Sequence, residues 1–138
     1  MHTTILASSA VLVLLTLALA FWTSIARTRS NVIAFDAPTE PTSAMAKAKR
    51  AHGNAAEYSG LLIGLFVVVG FVYQGRDLGA FVQWTIIAVT AARILQAIGI
   101  LTCATLEKIH PLKVIGSMVT YLGGMILAIM VLLRLFWF

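Results

Sequence analysis

Arg50, Asn54, Glu57 and Tyr58 are spaced so that a helix would carry all four on one side. At about 100° per residue, with Arg50 as origin, Asn54 falls at about 40°, Glu57 at about −20° and Tyr58 at about 80°. His52 falls at about 200°, nearly opposite. A guanidinium clamps a carboxylate with two parallel hydrogen bonds. An amide side chain both donates and accepts, and a carboxylate accepts from an ammonium or an amide. Together the four suit a zwitterionic, peptide-like guest with several carboxylates. A purely structural reading stands beside this one. Arg50 and Glu57 would neutralise lipid headgroups, Asn54 would bond another helix, and Tyr58 would join an interfacial aromatic belt.

The elements that must position these residues are membrane spans. Only 11% of the 138 residues are charged and 60% are hydrophobic, too few charges to solvate a water-soluble globule. The net charge of +5 comes from Lys and Arg clustered beside apolar runs, the membrane-protein pattern. Aromatic residues are not interleaved with the basic ones, so no nucleic-acid partner is expected. The pattern predicts an all-α, integral membrane, four-helix up-down bundle forming one domain over residues 1–138, with spans at about 5–27, 44–74, 78–106 and 112–137. The first run has a signal-peptide alternative at Ala18-Leu19-Ala20. However, no Lys or Arg precedes it and it continues well past that point. A polar loop at about 30–43 holds Asp36, Pro38, Glu40 and Pro41, and Thr42 or Ser43 is placed to cap the second span. His110-Pro111 separates the last two spans.

Glu57 stands where the second span turns apolar, and Arg93 lies within the third. Ionisable residues at such depth are functional-site candidates. Arg93 has two readings, a partner of Glu57 across a helix contact or a ligand-binding cation. Gly60 and Gly64, and Gly116, Thr120 and Gly124, have the small-residue spacing of close helix contacts. Trp137 and Arg134 read as interfacial anchors. The single cysteine, Cys103, forms no internal disulfide, and His2, His52 and His110 give no zinc spacing, so no metal is expected. Arg27, Arg29, Lys47, Lys49, Arg50, Lys108 and Lys113 flank loops one and three, against Arg76 and Arg134 on the other side. This predicts that loops one and three face the cytoplasm. That basic mouth would attract anions.

The stretch Arg50-Ala51-x-x-Asn54-x-x-Glu57-Tyr58 resembles the signature of the membrane-associated proteins in eicosanoid and glutathione metabolism, the MAPEG family. That family includes the microsomal glutathione transferases and leukotriene C4 synthase. A weaker echo is Arg93-x-x-Gln96-x-x-Gly99. The wording His52 to Tyr58 is most similar to small bacterial inner-membrane members. The resemblance covers the whole chain in architecture and about nine residues in detail. It implies a homotrimer of left-handed bundles with glutathione, as co-substrate, between subunits near the cytoplasmic face. It also implies that Arg50, Asn54, Glu57 and Tyr58 hold glutathione, with His52 and either Arg27 or Arg29 contributing. Two departures stand out. Gln96 and Ile100 replace the two tyrosines of the leukotriene synthase branch. The family arginine that stabilises the thiolate is missing, and Lys108, beside its place, supplies charge without a bidentate fork. Lys108 and Arg93 are thus the candidate thiolate stabilisers.

The function expected from this reading is a glutathione transferase or glutathione-dependent peroxidase acting on a lipophilic molecule that arrives from the membrane lipid. The alternative is a non-catalytic scaffold of the same fold that binds lipid or glutathione. A small transporter is a third reading, disfavoured by the lack of an inverted repeat.

Overall fold

Each long apolar run folds as one helix. The computed structural model describes residues 2–31 and 39–137, which form α1 (Thr3–Ser30), α2 (Ala44–Val72), α3 (Ala80–Thr102) and α4 (Pro111–Trp137). No strand occurs among the described residues. Asp36 and Pro38 of the expected loop, and the side chain of Trp137, lie outside them. All four helices are long and apolar enough to cross a bilayer. Large apolar side chains such as Leu14, Phe21, Leu61 and Trp84 stand on the outside, where only lipid or another apolar surface could cover them. The protein is therefore a multi-pass membrane bundle.

The helix ends have local causes. The Ser43 hydroxyl accepts from the Ala46 N–H and caps α2. The α1 helix closes on Asn31 in the left-handed conformation, with Arg27 and Arg29 in its last turn, where cations complement the helix dipole. Pro111 begins α4, a position where a missing N–H costs nothing, and the His110 carbonyl accepts from the Lys113 and Val114 N–H groups. The α3 helix stops at Thr102, short of the 106 expected. Cys103 turns to an extended conformation, and the Leu106 N–H donates to the Pro41 carbonyl, tying the third loop to the first. Leu106 thus packs on the core from a turn, not from a helix.

Consecutive helices run antiparallel. The His2 ring meets the Tyr73 carbonyl at one end of the bundle, where Arg134 also lies over the Tyr73 ring, and Leu106 meets Pro41 at the other. The α1 helix packs on α2 and α3, and α4 packs on the same two, while α1 and α4 do not touch. Buried residues repeat every seven positions: Ile5, Leu12, Leu19 and Ala26 in α1; Ala48, Ala55, Leu62 and Val69 in α2; Ile86, Arg93 and Ile100 in α3. That period is the mark of left-handed supercoiling. The α3–α4 contact is tight at glycines. A Cβ on Gly116 would lie 2.7 Å from the Ala92 carbonyl oxygen, and one on Gly123 would collide with Val89 Cγ2. Gly60 and Gly64, by contrast, face open space, so the expected close contact at that pair is not made within the chain.

The core changes character along the bundle. Bulky Phe66, Val69, Ile86 and Leu127 fill one half. Ala51, Ala55 and Ala97, with Leu19 and Ile100, line the half nearer loops one and three. Small side chains there leave volume for polar groups.

Candidate functional site at the thin end of the core

Arg93 occupies a seam position of α3 and is only 2% exposed. One terminal nitrogen donates to the Asn54 backbone carbonyl at 3.0 Å and to Asn54 Oδ1 at 2.5 Å. The other donates to Gln96 Oε1. Its guanidinium carbon lies 4.7 Å from the centre of the Tyr58 ring. Its Nε has no hydrogen-bond partner among the described residues. Gln96 Nε2 donates to Ser117 Oγ at 2.7 Å, which carries the network into α4. The Tyr58 and Tyr121 hydroxyls are 3.2 Å apart, with ring centres at 5.7 Å. A buried cation is costly unless hydrogen-bonded. Here neutral oxygens and a ring face meet that need, and no carboxylate among the described residues pairs with Arg93.

Beside this network is a pocket of about 260 Å³ lined by Arg50, Asn54, Gln96, Ile100, Leu106, Lys113 and Ser117. A shallower cleft along α4 adjoins it, shares Lys113 and Ser117, and extends to His110 and Tyr121. Below, between α2 and α4, runs an apolar groove of about 360 Å³ that includes Tyr58, Leu61, Leu65, Tyr121, Gly124 and Met125. The Tyr58–Tyr121 pair stands where polar and apolar spaces meet. The sequence profile of the MAPEG family matches residues 5–133. The chain belongs to the MAPEG family. No curated protein and no solved structure matches it significantly.

In this MAPEG protein the motif residues divide by burial. Asn54 is buried and its side-chain oxygen is taken by Arg93. Tyr58 is half-buried against Arg93 and Tyr121. Arg50 is exposed and lines the pocket, and Glu57 is exposed on the outer face of α2. Of the two readings of Arg93, the ion pair with Glu57 is not made; Arg93 turns inward to Asn54 instead. Lys108 is exposed on the outer cleft and does not line the Asn54 pocket. The lysine that does is Lys113, whose Nζ donates to the Lys108 carbonyl at 2.8 Å and is held toward loop three. His52 is half-buried, with a buried Nδ1 that finds no partner among the described residues, and lies outside this pocket. Arg27 is half-buried and Arg29 exposed, both in the last turn of α1. Sequence reasoning missed Ser117 and Tyr121 as site residues and used Lys113 only for orientation. The signal was present, because Lys113, Ser117 and Tyr121 recur every four residues and share one face of α4.

Proposed function

We propose that this MAPEG protein binds glutathione in the pocket beside Asn54, between copies of the chain in a homotrimer, and presents its thiolate to a lipophilic electrophile or hydroperoxide. One observation carries this reading. Arg50 and Lys113 line the pocket, Arg93 stands behind it, and none of the three is ion-paired to a described carboxylate. Such a pocket favours a guest with carboxylates, which glutathione has. Arg50 supplies the bidentate fork. Ser117 and the Asn54 amide supply neutral hydrogen bonds. Lys113 is the cation suited to lower the thiol pKa and raise the thiolate fraction.

The outward position of Glu57 supports a site completed by a neighbour. An exposed carboxylate midway along a membrane-spanning helix is costly against lipid. Gly60 and Gly64 follow it on an open face that lets a second helix approach closely. Glu57 would then receive the ammonium of the guest between two subunits. The apolar groove below Tyr58 and Tyr121 opens along the bundle and suits an apolar substrate from the bilayer. The tyrosine hydroxyls stand at the border, where a leaving group could take a proton. The basic loops one and three support their placement on the cytoplasmic side, and the bacterial wording of the motif supports a bacterial inner membrane.

A non-catalytic scaffold is the second reading. Its support is that two of the four motif residues, Asn54 and Tyr58, are already engaged inside the bundle. Calorimetric titration of the detergent-purified protein with glutathione tests the shared premise. Arg50→Ala and Glu57→Gln should each weaken binding by at least about 1 kcal/mol. Absence of any binding heat would remove both readings. Ultraviolet thiolate absorbance on glutathione addition, with turnover of a chloronitrobenzene or a lipid hydroperoxide, separates them. Binding without thiolate or turnover selects the scaffold.

A further inference from the structure

A cavity of about 590 Å³ lies at the end opposite the motif and has no part in the reading above. It is lined by His2 at the start of α1, by Phe71 at the end of α2, and by Gln74, Arg76 and Asp77 of the turn into α3. The turn is held in place. Gly75 adopts φ +75°, the Arg76 N–H donates to the Tyr73 carbonyl, and Leu78 beyond it is buried. His2 is fixed by its 3.2 Å bond to the same carbonyl. A carbonyl oxygen only accepts, so Nε2 carries the proton in that bond and the neutral ring keeps Nδ1 as an acceptor.

The surroundings place this cavity at a membrane surface. Phe71, Phe81, Trp84 and Phe136 stand exposed at this end, and Phe21 and Trp22 stand exposed toward the other. Aromatic side chains in two such belts mark the boundaries of the hydrocarbon region. A guest in the cavity therefore has water above it and acyl chains beside it, and Phe71, 69% exposed, forms the apolar side.

We propose that this pocket seats the headgroup of a phospholipid that carries a primary ammonium, phosphatidylethanolamine, with Arg76 on the phosphate and Asp77 and His2 on the ammonium. The charges select this class. Arg76 gives a phosphate its forked donor. Asp77 and Nδ1 of the neutral His2 ring are acceptors, which require a donor on the guest. An ethanolamine ammonium has three N–H donors, whereas the quaternary ammonium of a choline lipid has none. A phosphoglycerol headgroup offers Asp77 only hydroxyl donors, which bond a carboxylate less strongly than an ammonium does. A free inorganic anion would leave the apolar side of the cavity unused.

The test uses the full-length protein in detergent, with native mass spectrometry to count retained lipid and thermal unfolding to read stabilisation. Dioleoyl phosphatidylethanolamine, phosphatidylcholine and phosphatidylglycerol are supplied in equal amounts. The expected result is retention of the ethanolamine lipid about tenfold above the other two, the equivalent of one charge-assisted hydrogen bond. Asp77→Asn should erase the preference over the choline lipid, and Arg76→Gln should lower retention of all three. Glutathione binding at the far end should stay unchanged in both variants, which separates this site from the one proposed above. Equal retention of the three lipids by the wild-type protein would overturn the proposal without any variant. So would an unaltered preference in both variants, or equal thermal stabilisation by inorganic phosphate alone.

Discussion

Arg93 holds a full charge inside the bundle against neutral oxygens and one ring face. That arrangement makes a demand on geometry that lysine cannot meet, because only the planar fork reaches Asn54 and Gln96 at once. Arg93→Lys should therefore lower stability by about 1–3 kcal/mol in thermal unfolding. It should also weaken glutathione binding, since Asn54 would lose the contact that orients it. Lys113 gives the complementary case. Its Nζ is fixed by carbonyls of loop three and it lines the pocket, so its charge is in place before any guest arrives. Lys113→Ala should abolish the thiolate absorbance while lowering the glutathione affinity less than Arg50→Ala does. Lys108→Ala should leave that absorbance intact, because Lys108 is exposed outside the Asn54 pocket. The opposite pattern would return the thiolate role to Lys108.

At the scale of elements, glycines do two different jobs. Gly116 lets α4 press on the Ala92 carbonyl of α3, a backbone atom that cannot rotate away. Gly116→Ala should cost about 1–3 kcal/mol of stability, measured by unfolding in detergent. Because Ser117 follows directly, the substitution should also disturb the Gln96–Ser117 bond. Gly60 has open space around it within the chain. Gly60→Ala should leave the single bundle unharmed, since alanine favours a helix over glycine by about 1 kcal/mol. Gly60→Leu should instead weaken association between chains, read as a shift to smaller species in light scattering. An assembly unaffected by Gly60→Leu would place the proposed subunit contact on another face.

At the scale of the whole molecule, the outer surface between the two polar ends is largely apolar, and Arg50 and Glu57 stand exposed at the border of that zone. Charge exposed midway along a span asks for a neighbour, so Glu57 joins the question of the site to that of assembly. If Glu57 serves the guest alone, Glu57→Gln should weaken glutathione binding and leave the proposed trimer whole by light scattering. Loss of both together would assign Glu57 to the subunit contact itself. The other polar end, at His2, Arg76 and Asp77, is separated from this site by the bulky half of the core, so the two ends should respond independently to substitution.

The sequence by itself determined the bundle. Apolar runs of span length, with prolines and polar clusters between them, are local properties, and a bilayer leaves few folds that satisfy them. The signature Arg50 to Tyr58 and its family were equally legible, because the motif lies within one helix. What only the tertiary structure decided was how that stripe is used. Helical angle puts Asn54 and Glu57 on one side, but it does not say where the neighbouring helices stand. The approach of α3 turned Asn54 inward to Arg93 and left Glu57 outside. The approach of α4 brought Lys113, Ser117 and Tyr121 to the pocket from a part of the chain with no motif of its own. Small-residue spacing marked Gly116 as a close-contact position, but which helix meets it, α3 at Ala92, is a non-local property that the spacing does not encode.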